Sequence, residues 1–230
     1  MIVGNGMLAT AFAPRFGATR DVIIFASGVS NSSETRAAEF PRDRALLAEA
    51  LASHAARFVY FGSCGASTPN EELTPYIRHK RRMESLVLST PGGLVLRMPQ
   101  VVGRTRNPHT LTNFLRDRIV SGEHFTVWKN AERNLVDVDD VLAIGGALAA
   151  DFTLDVSAPI SIAAKVSMPM PEIVRMFERV LGKSANCTTV CRGAALPIDV
   201  STAVAVGSRL GIDLGPGYIE SVVCKYYAAA

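Results

Sequence analysis

Tyr76 and Lys80 stand four residues apart in a segment, Pro75–Leu88, that reads as a helix, and this spacing puts a phenol and an amine on one face. An ammonium beside a phenol favours the phenolate, which lowers the tyrosine pKa and suits it to general acid–base work. A lysine so placed can also bond a ribose hydroxyl. The same spacing arises by chance in surface helices as an exposed pair. A second chemical segment is Gly62-Ser63-Cys64-Gly65-Ala66, where the strand Arg57–Phe61 ends in small and polar residues. In an open parallel sheet ligands bind beyond the carboxyl ends of strands. The Ser63 hydroxyl or the Cys64 thiol there can bond a reacting oxygen; the plain alternative is a tight turn with a buried thiol. Non-redox chemistry centred on Cys64 and His79 is a further option, weakened because His79 lies one step from Lys80 and points off its face.

The chain opens on Gly4-Asn5-Gly6-Met7-Leu8-Ala9, a G-x-G-x-x-A between a two-residue strand, Ile2-Val3, and a helix, Met7–Phe16. Glycines there permit a tight turn and a close backbone approach to a pyrophosphate, and the helix N-terminus offers unpaired N–H groups. An ordinary strand-to-helix turn has the same look. Two more segments, Leu96-Arg97-Met98-Pro99-Gln100-Val101-Val102-Gly103-Arg104 and Arg133-Asn134-Leu135-Val136-Asp137, set arginines near strand ends. An arginine fork matches two phosphate oxygens. The acids around Asp139 read as caps for the following helix.

The elements that must position these groups alternate between short apolar runs and helical patterns, as in a parallel sheet covered by helices. Strands are expected at Val22–Ala26, Arg57–Phe61, Gly93–Met98, Phe125–Trp128 and Arg133–Val136. Helices are expected at Arg42–His54, Pro75–Leu88, Leu111–Ser121, Asp139–Ala150, Glu172–Leu181 with Gly182 at its end, and Thr202–Leu210. Residues 1–150 form a core and residues 151–230 a small lobe laid over it. With 48% hydrophobic and 20% charged residues, this core needs no disulfide or metal. Cys64, Cys187, Cys191 and Cys224 form no CxxC and read as reduced thiols. A net charge of +3 and the short Arg78–Arg82 cluster, mostly a solvated helix face, argue against nucleic acid. No signal peptide or membrane span is expected, which places the protein in the cytoplasm.

Taken in order, these pieces resemble the extended short-chain dehydrogenases, specifically the NAD-dependent epimerase/dehydratase family. Phe40–Leu51 resembles the helix before the catalytic strand, and Arg57–Ala66 the catalytic-serine strand. Thr74-Pro75-Tyr76…Lys80 resembles the "SPYxxxK" helix, Leu96–Gly103 the "LRxxNVYG" segment and Arg133–Val141 the "RDFVxVDDV" segment. Pro197–Ser201 resembles the stretch before the final helices. The resemblance implies a Rossmann-like α/β fold and NAD or NADP as cofactor. It implies Tyr76 as acid/base, with Lys80 orienting the nicotinamide ribose. Gly4, Gly6, Met7, Leu8 and Ala9 would line the pyrophosphate, Ala26 and Ser27 would pass close to the cofactor, and Pro99, Val101 and Val102 would border the nicotinamide. Gln100, Arg104 and Arg133 would face a nucleotide-sugar, Arg133 on its diphosphate. A homodimer through Pro75–Leu88 is implied as well.

The chain departs from the family pattern in three places. The usual catalytic hydroxyl falls at Cys64, with Ser63 just before it, and a thiol is the poorer donor. Gly65 and Ala66 stand where dehydratases carry an acidic pair and decarboxylases a glutamate, which leaves 4-keto reduction or epimerisation. Only Thr10–Arg20 separate the glycine motif from Asp21, too little for the two strands and two crossovers a full dinucleotide half has there. Val22–Ala26 therefore resembles the family's fourth strand, and no acid takes the adenosine ribose. A direct step from first to fourth strand conflicts with right-handed crossover unless the helix changes face or the linker wraps the edge. The expected function is a nicotinamide-dependent nucleotide-sugar oxidoreductase or epimerase. The alternative is a pseudoenzyme kept for ligand sensing or interaction.

Overall fold

A computed structural model describes residues 1–29, 34, 36–67, 73–154, 157–195 and 197–228. In its first half β1 (Ile2–Val3) leads through α1 (Met7–Phe16) to β2 (Val22–Phe25), then α2 (Glu39–Leu51), β3 (Arg57–Ser63), a 3-10 turn (Cys64–Ser67), α3 (Pro75–Leu88) and β4 (Gly93–Met98). Next come β5 (Gln100–Val102), α4 (Leu111–Ser121), β6 (Phe125–Trp128), β7 (Glu132–Arg133), β8 (Leu135–Asp137) and α5 (Val138–Ala150). The chain ends with β9 (Ile160–Ser161), β10 (Met168–Pro169), α6 (Met170–Leu181), β11 (Cys187–Val190), α7 (Ser201–Arg209) and α8 (Tyr218–Tyr227).

The central sheet is parallel, in the order β1-β2-β3-β4-β9. Its middle strands are mostly apolar, Arg57 and Arg97 apart, because helices cover both faces. With side chains alternating, the row Ile24, Val59 and Leu94 lies on one face, and the row Phe25, Tyr60 and Val95 on the other. α1 and α5 cover the first face through Phe12, Phe16, Val141 and Ile144; α2 and α3 cover the second through Leu47, Met83 and Val87. This is the expected α/β architecture with helices on both faces. Residues 151 onward supply β9, an edge strand of this sheet, and their helices share the first face's apolar cluster.

β1 pairs directly with β2, Ile2 beside Ile24 and Val3 beside Phe25, and only residues 17–21 join α1 to β2. Among the described residues no strand lies between β1 and β2 or beyond β1, so the two strands expected to be absent are absent there. α1 does not change face: it stays opposite α2 and α3, against α5. The step from β1 to β2 runs in the same direction as the next two steps but on the other face, so its hand is opposite to theirs. Packing accounts for this. α5 offers glycines to α1; a Cβ at Gly146 would lie 2.6 Å from Arg15, and one at Gly145 would lie 3.3 Å from Phe12. A side chain at Gly146 would have to displace the guanidinium of Arg15 from where it lies against α5.

Local signals set most boundaries. Thr74 Oγ1 accepts the Ile77 N–H at 3.2 Å and Pro75 fills the first turn of α3, as expected. Asp137 caps α5, accepting the Asp139 N–H at 2.9 Å. Gly182, at φ 61°, ends α6. α2 starts at Glu39, three residues before the expected start, because Pro41 falls in the first turn, where its missing N–H costs nothing. Among the described residues no helix is long and apolar enough to cross a membrane, and no group of His, Cys, Asp or Glu could hold a metal ion.

Candidate active site

β3 carries Ser63 to the carboxyl edge of the sheet, and the turn after it folds back so that the Gly65 N–H donates to Ser63 Oγ at 3.2 Å. Gly65 packs on Ile77, with room for no Cβ (it would come within 2.8 Å of Ile77 Cδ1), and this seats the first turn of α3 beside Ser63. Ser63 stands near enough to Tyr76 to favour its phenolate. Cys64 is buried, and burial pushes its thiol up to about 12. The structure therefore sets Ser63, and not Cys64, against Tyr76.

Tyr76 and Lys80 are both buried, which rules out the exposed surface pair. Lys80 Nζ lies 5.8 Å from the Tyr76 ring centroid and 5.1 Å from that of Tyr60, over the rings rather than at the hydroxyls. The expectation that the ammonium lowers the tyrosine is not met. Burial pushes the Tyr76 phenol up to about 12, Ser63 opposes this, and the Glu84 and Asp43 charges add to it. Burial in turn pulls Lys80 below the usual lysine range, against the pull of Asp43 and Glu84. At neutral pH Tyr76 is thus a phenol with a proton to give. Lys80 Nζ donates to the Phe61 carbonyl at 3.4 Å, using one of its three N–H groups.

Sequence reasoning passed over the groups behind this pair. Tyr76, Lys80 and Glu84 recur every four residues, so the stripe continues past Lys80. Glu84 is buried and takes a forked ion pair from Arg97 of β4, 2.7 Å at its shortest. His79 leaves the Tyr76–Lys80 face as expected, yet it is not solvated: Nε2 lies 2.8 Å from Asp43 Oδ2 of α2, with Phe40 against its ring. The Val29 N–H also donates to Asp43 Oδ2, at 3.2 Å. Gly28, at φ +116°, leaves the space, since a Cβ there would lie 2.4 Å from Asp43 Oδ1. His79 is thus committed to Asp43, and among the described residues no hydrogen bond joins it to Cys64. Of the basic cluster, Arg78 and Arg82 are exposed, whereas His79 and Lys80 are core.

On the neighbouring strands the glycine elbow is open. Gly4, at φ +124°, presses on β2: a Cβ would lie 2.4 Å from the Ala26 carbonyl and 3.0 Å from the Ser27 nitrogen. Gly6, first in line before α1, is exposed, and a Cβ there would meet nothing within 4 Å. Met7 and Leu8 are half-buried and Ala9 is buried under the helix. Met7 reaches Gly103, where a Cβ would lie 2.7 Å from its sulfur, so the elbow and the Pro99–Gly103 segment meet. That segment becomes β5, paired to β8 with Gln100 beside Leu135 and Val101 beside Val136. Pro99, Gln100 and Val101 are half-buried and Val102 is buried. Arg133 sits in the β7–β10 ladder opposite Met168, its guanidinium lowered by burial and donating to the Glu132 carbonyl at 2.7 Å. Arg104 lies elsewhere, in a cleft with α4 and α8.

A sequence model described as the NAD dependent epimerase/dehydratase family matches residues 15–152. The chain belongs to this family. No curated protein matches the sequence significantly. Among solved structures it is similar to MoeE5 in complex with UDP-glucuronic acid and NAD, at 19% identity and a TM-score of 0.68 over 89% of this chain and 77% of that one. It is also similar to UDP-N-acetylglucosamine 4-epimerase from Bacillus cereus, at 14% identity and TM-score 0.68 over 98% and 96%. A third is UDP-glucuronic acid 4-epimerase from Bacillus cereus in complex with UDP-glucuronic acid and NAD, at 17% identity and TM-score 0.66 over 95% and 79%. These likenesses establish the shared fold.

An epimerase/dehydratase chain needs room for a dinucleotide, and the elbow supplies part of it. The open Gly6 position at the start of α1 fits a pyrophosphate. Among the described residues β1 is an edge strand of the sheet.

Proposed function

We propose that this protein reduces or epimerises a nucleotide-sugar at its 4-position with NAD or NADP, Tyr76 acting as acid/base. The observation that supports this best is the placing of half-buried Ser63 with buried Tyr76 and Lys80 at the carboxyl end of β3. Tyr76 holds its proton at neutral pH and gives it to a carbonyl oxygen. Ser63 orients the phenol and bonds the same oxygen. Lys80 has N–H groups left for a ribose hydroxyl. Gly4, Gly6, Met7, Leu8 and Ala9, with Ala26 and Ser27, hold the dinucleotide's phosphates, and Pro99, Val101 and Val102 wall off its ring from water. The dinucleotide, when bound, supplies the group that gives and takes hydride. Gln100, Arg104 and Arg133 face the nucleotide-sugar. Gly65 and Ala66 carry no acid, which sets dehydration and decarboxylation aside. The protein acts in the cytoplasm, and the exposed Leu46 and Leu86 on α2 and α3 would meet a second copy in a homodimer.

A second reading, a pseudoenzyme that senses a ligand or a partner, is favoured by one observation: β1 stands directly beside β2, and among the described residues no strand lies beyond it to carry a ribose-binding acid. Calorimetric titration separates the two. The enzyme reading expects saturable heat with NADH or NADPH. No heat with either, at protein concentrations near millimolar, moves the assignment to the second.

A further inference from the structure

At the end of the sheet away from Tyr76, a cleft of about 620 Å³ opens between the start of β3, the turn after α3 and the chain that leaves α5. Arg57, the first residue of β3, lines it with Ser89, Thr90, Gly92 and Phe152. Six strand steps, about 20 Å, separate Arg57 from Ser63 at the other end of β3. Arg57 is only 4% exposed, and among the described residues no carboxylate lines the cleft. Its Nη2 donates to the Asp151 carbonyl at 2.6 Å, its Nε is buried without a partner, and among the described residues its Nη1 makes no hydrogen bond either. The Asp151 carboxylate turns to Thr153 instead, accepting its N–H at 3.0 Å and its hydroxyl at 2.6 Å. The Phe152 ring covers one side of the guanidinium, 5.6 Å from Cζ to the ring centroid, and is itself 53% exposed. A buried guanidinium ordinarily has its charge paired and its donors filled.

The cleft is fixed in advance. The Phe58 N–H donates to the Gly92 carbonyl at 3.0 Å and the Gly93 N–H to the Thr90 carbonyl at 2.9 Å, which ties the turn to β3. Gly92, at φ 75°, brings that turn against the Ala56 carbonyl, with no room for a side chain. The Ser89 hydroxyl donates to the Ser85 carbonyl at 2.9 Å and the Thr90 hydroxyl to the Leu86 carbonyl at 3.0 Å, so toward the cleft both oxygens can only accept.

We infer that this cleft binds a small carboxylate that carries an O–H or N–H donor and a flat apolar body. The open donors of Arg57 take the carboxylate, the Ser89 and Thr90 oxygens take the donor, and the Phe152 ring takes the body. One guanidinium beside the negative end of α3 suits a singly charged carboxylate better than a doubly charged phosphate. The cleft's volume falls in the range of small-ligand sites. No group invoked here serves Tyr76 or a dinucleotide, so the site stands whichever reaction Tyr76 performs.

Calorimetry of the full chain with 4-hydroxybenzoate tests it, comparing wild type with Arg57→Gln and Phe152→Ala. 4-Hydroxybenzamide, of the same shape without the charge, is titrated beside it. Saturable binding to wild type is expected, weakened about tenfold or more in Arg57→Gln and for the amide, the size of a lost charged hydrogen bond. In Phe152→Ala it is expected to weaken about threefold or more. Phe152 is exposed, so that variant is expected to keep its fold, checked by thermal melting. Should Arg57→Gln fail to fold, Phe152→Ala and the amide decide. No saturable heat from wild type, unchanged affinity in Phe152→Ala, or an amide bound as tightly as the acid overturns the inference. Tyr76→Phe is expected to leave the affinity unchanged; a loss there would place the probe at the catalytic end and overturn it too.

Discussion

Tyr76→Phe is expected to lower turnover about 10²–10⁴-fold, the contribution of a positioned acid/base, with substrate and cofactor affinity little changed. The ring stays, so packing under Lys80 stays, and only the hydroxyl is lost. The same variant carries a second readout. Burial pushes the folded phenol up to about 12, from an ordinary 10.0. A raised folded pKa means that the unfolded chain loses its proton first, so stability is full below pH 10 and falls as pH rises toward 12. Melting curves of wild type are therefore expected to fall more steeply than those of Tyr76→Phe across that window. Turnover unchanged in Tyr76→Phe would remove the tyrosine from the mechanism.

The largest effect on stability is expected at Asp43. Asp43→Ala strips the acceptor from two buried donors, the His79 ring and the Val29 N–H, and opens a void under Gly28. Each donor left bare costs about 1–3 kcal/mol. A total of about 3 kcal/mol corresponds to a midpoint lowered by about 6–12 °C in a chain of this size. Asp43 Oδ1 has no partner among the described residues, so the native carboxylate is already under-satisfied and part of the loss is recovered. Asp43→Asn keeps one acceptor and is expected to cost less than half as much. Equal losses in the two variants would show that shape, not the hydrogen bonds, matters there. Loss of Asp43 also withdraws a negative charge near Lys80, which lets burial lower that lysine further.

The sheet was readable because its strands are mostly apolar on both faces. Val22–Phe25 and Gly93–Met98 are continuous runs flanked by helix patterns, and these come from burial, which sequence reports directly. The shortened cofactor half was readable from length alone, since no arrangement of residues 10–20 could hold two strands. The strands β9, β10 and β11 were not readable. They have two to four residues each and owe their pairing to partners distant in the chain. α8 was overlooked although Tyr218, Ile219, Val222, Val223 and Tyr227 carry helix spacing and pack on the core.

Within the site, the Tyr76–Lys80 spacing gave the pair but not its surroundings. Whether an ammonium lowers a phenol depends on where the charge sits and how dry the pocket is, and here Lys80 lies over the ring in a desolvated site. The choice between Ser63 and Cys64 turned on which way one 3-10 turn folds. The hand of the β1–β2 step turned on α1 packing against the glycines of α5. Each depends on contacts between elements far apart in sequence. The Glu84 extension of the Tyr76 stripe was available from the same four-residue spacing.

The central claim is that Ser63, Tyr76 and Lys80 serve a nicotinamide ring seated beside the Gly4–Gly6 elbow. The direct test is to supply a UDP-4-keto-sugar with NADH or NADPH carrying deuterium at the reactive ring carbon and to weigh the sugar product. The account predicts a product one mass unit heavier, formed with wild type and not with Tyr76→Phe. A product without the added mass, or the same deuterated product at the same rate from Tyr76→Phe, would contradict it.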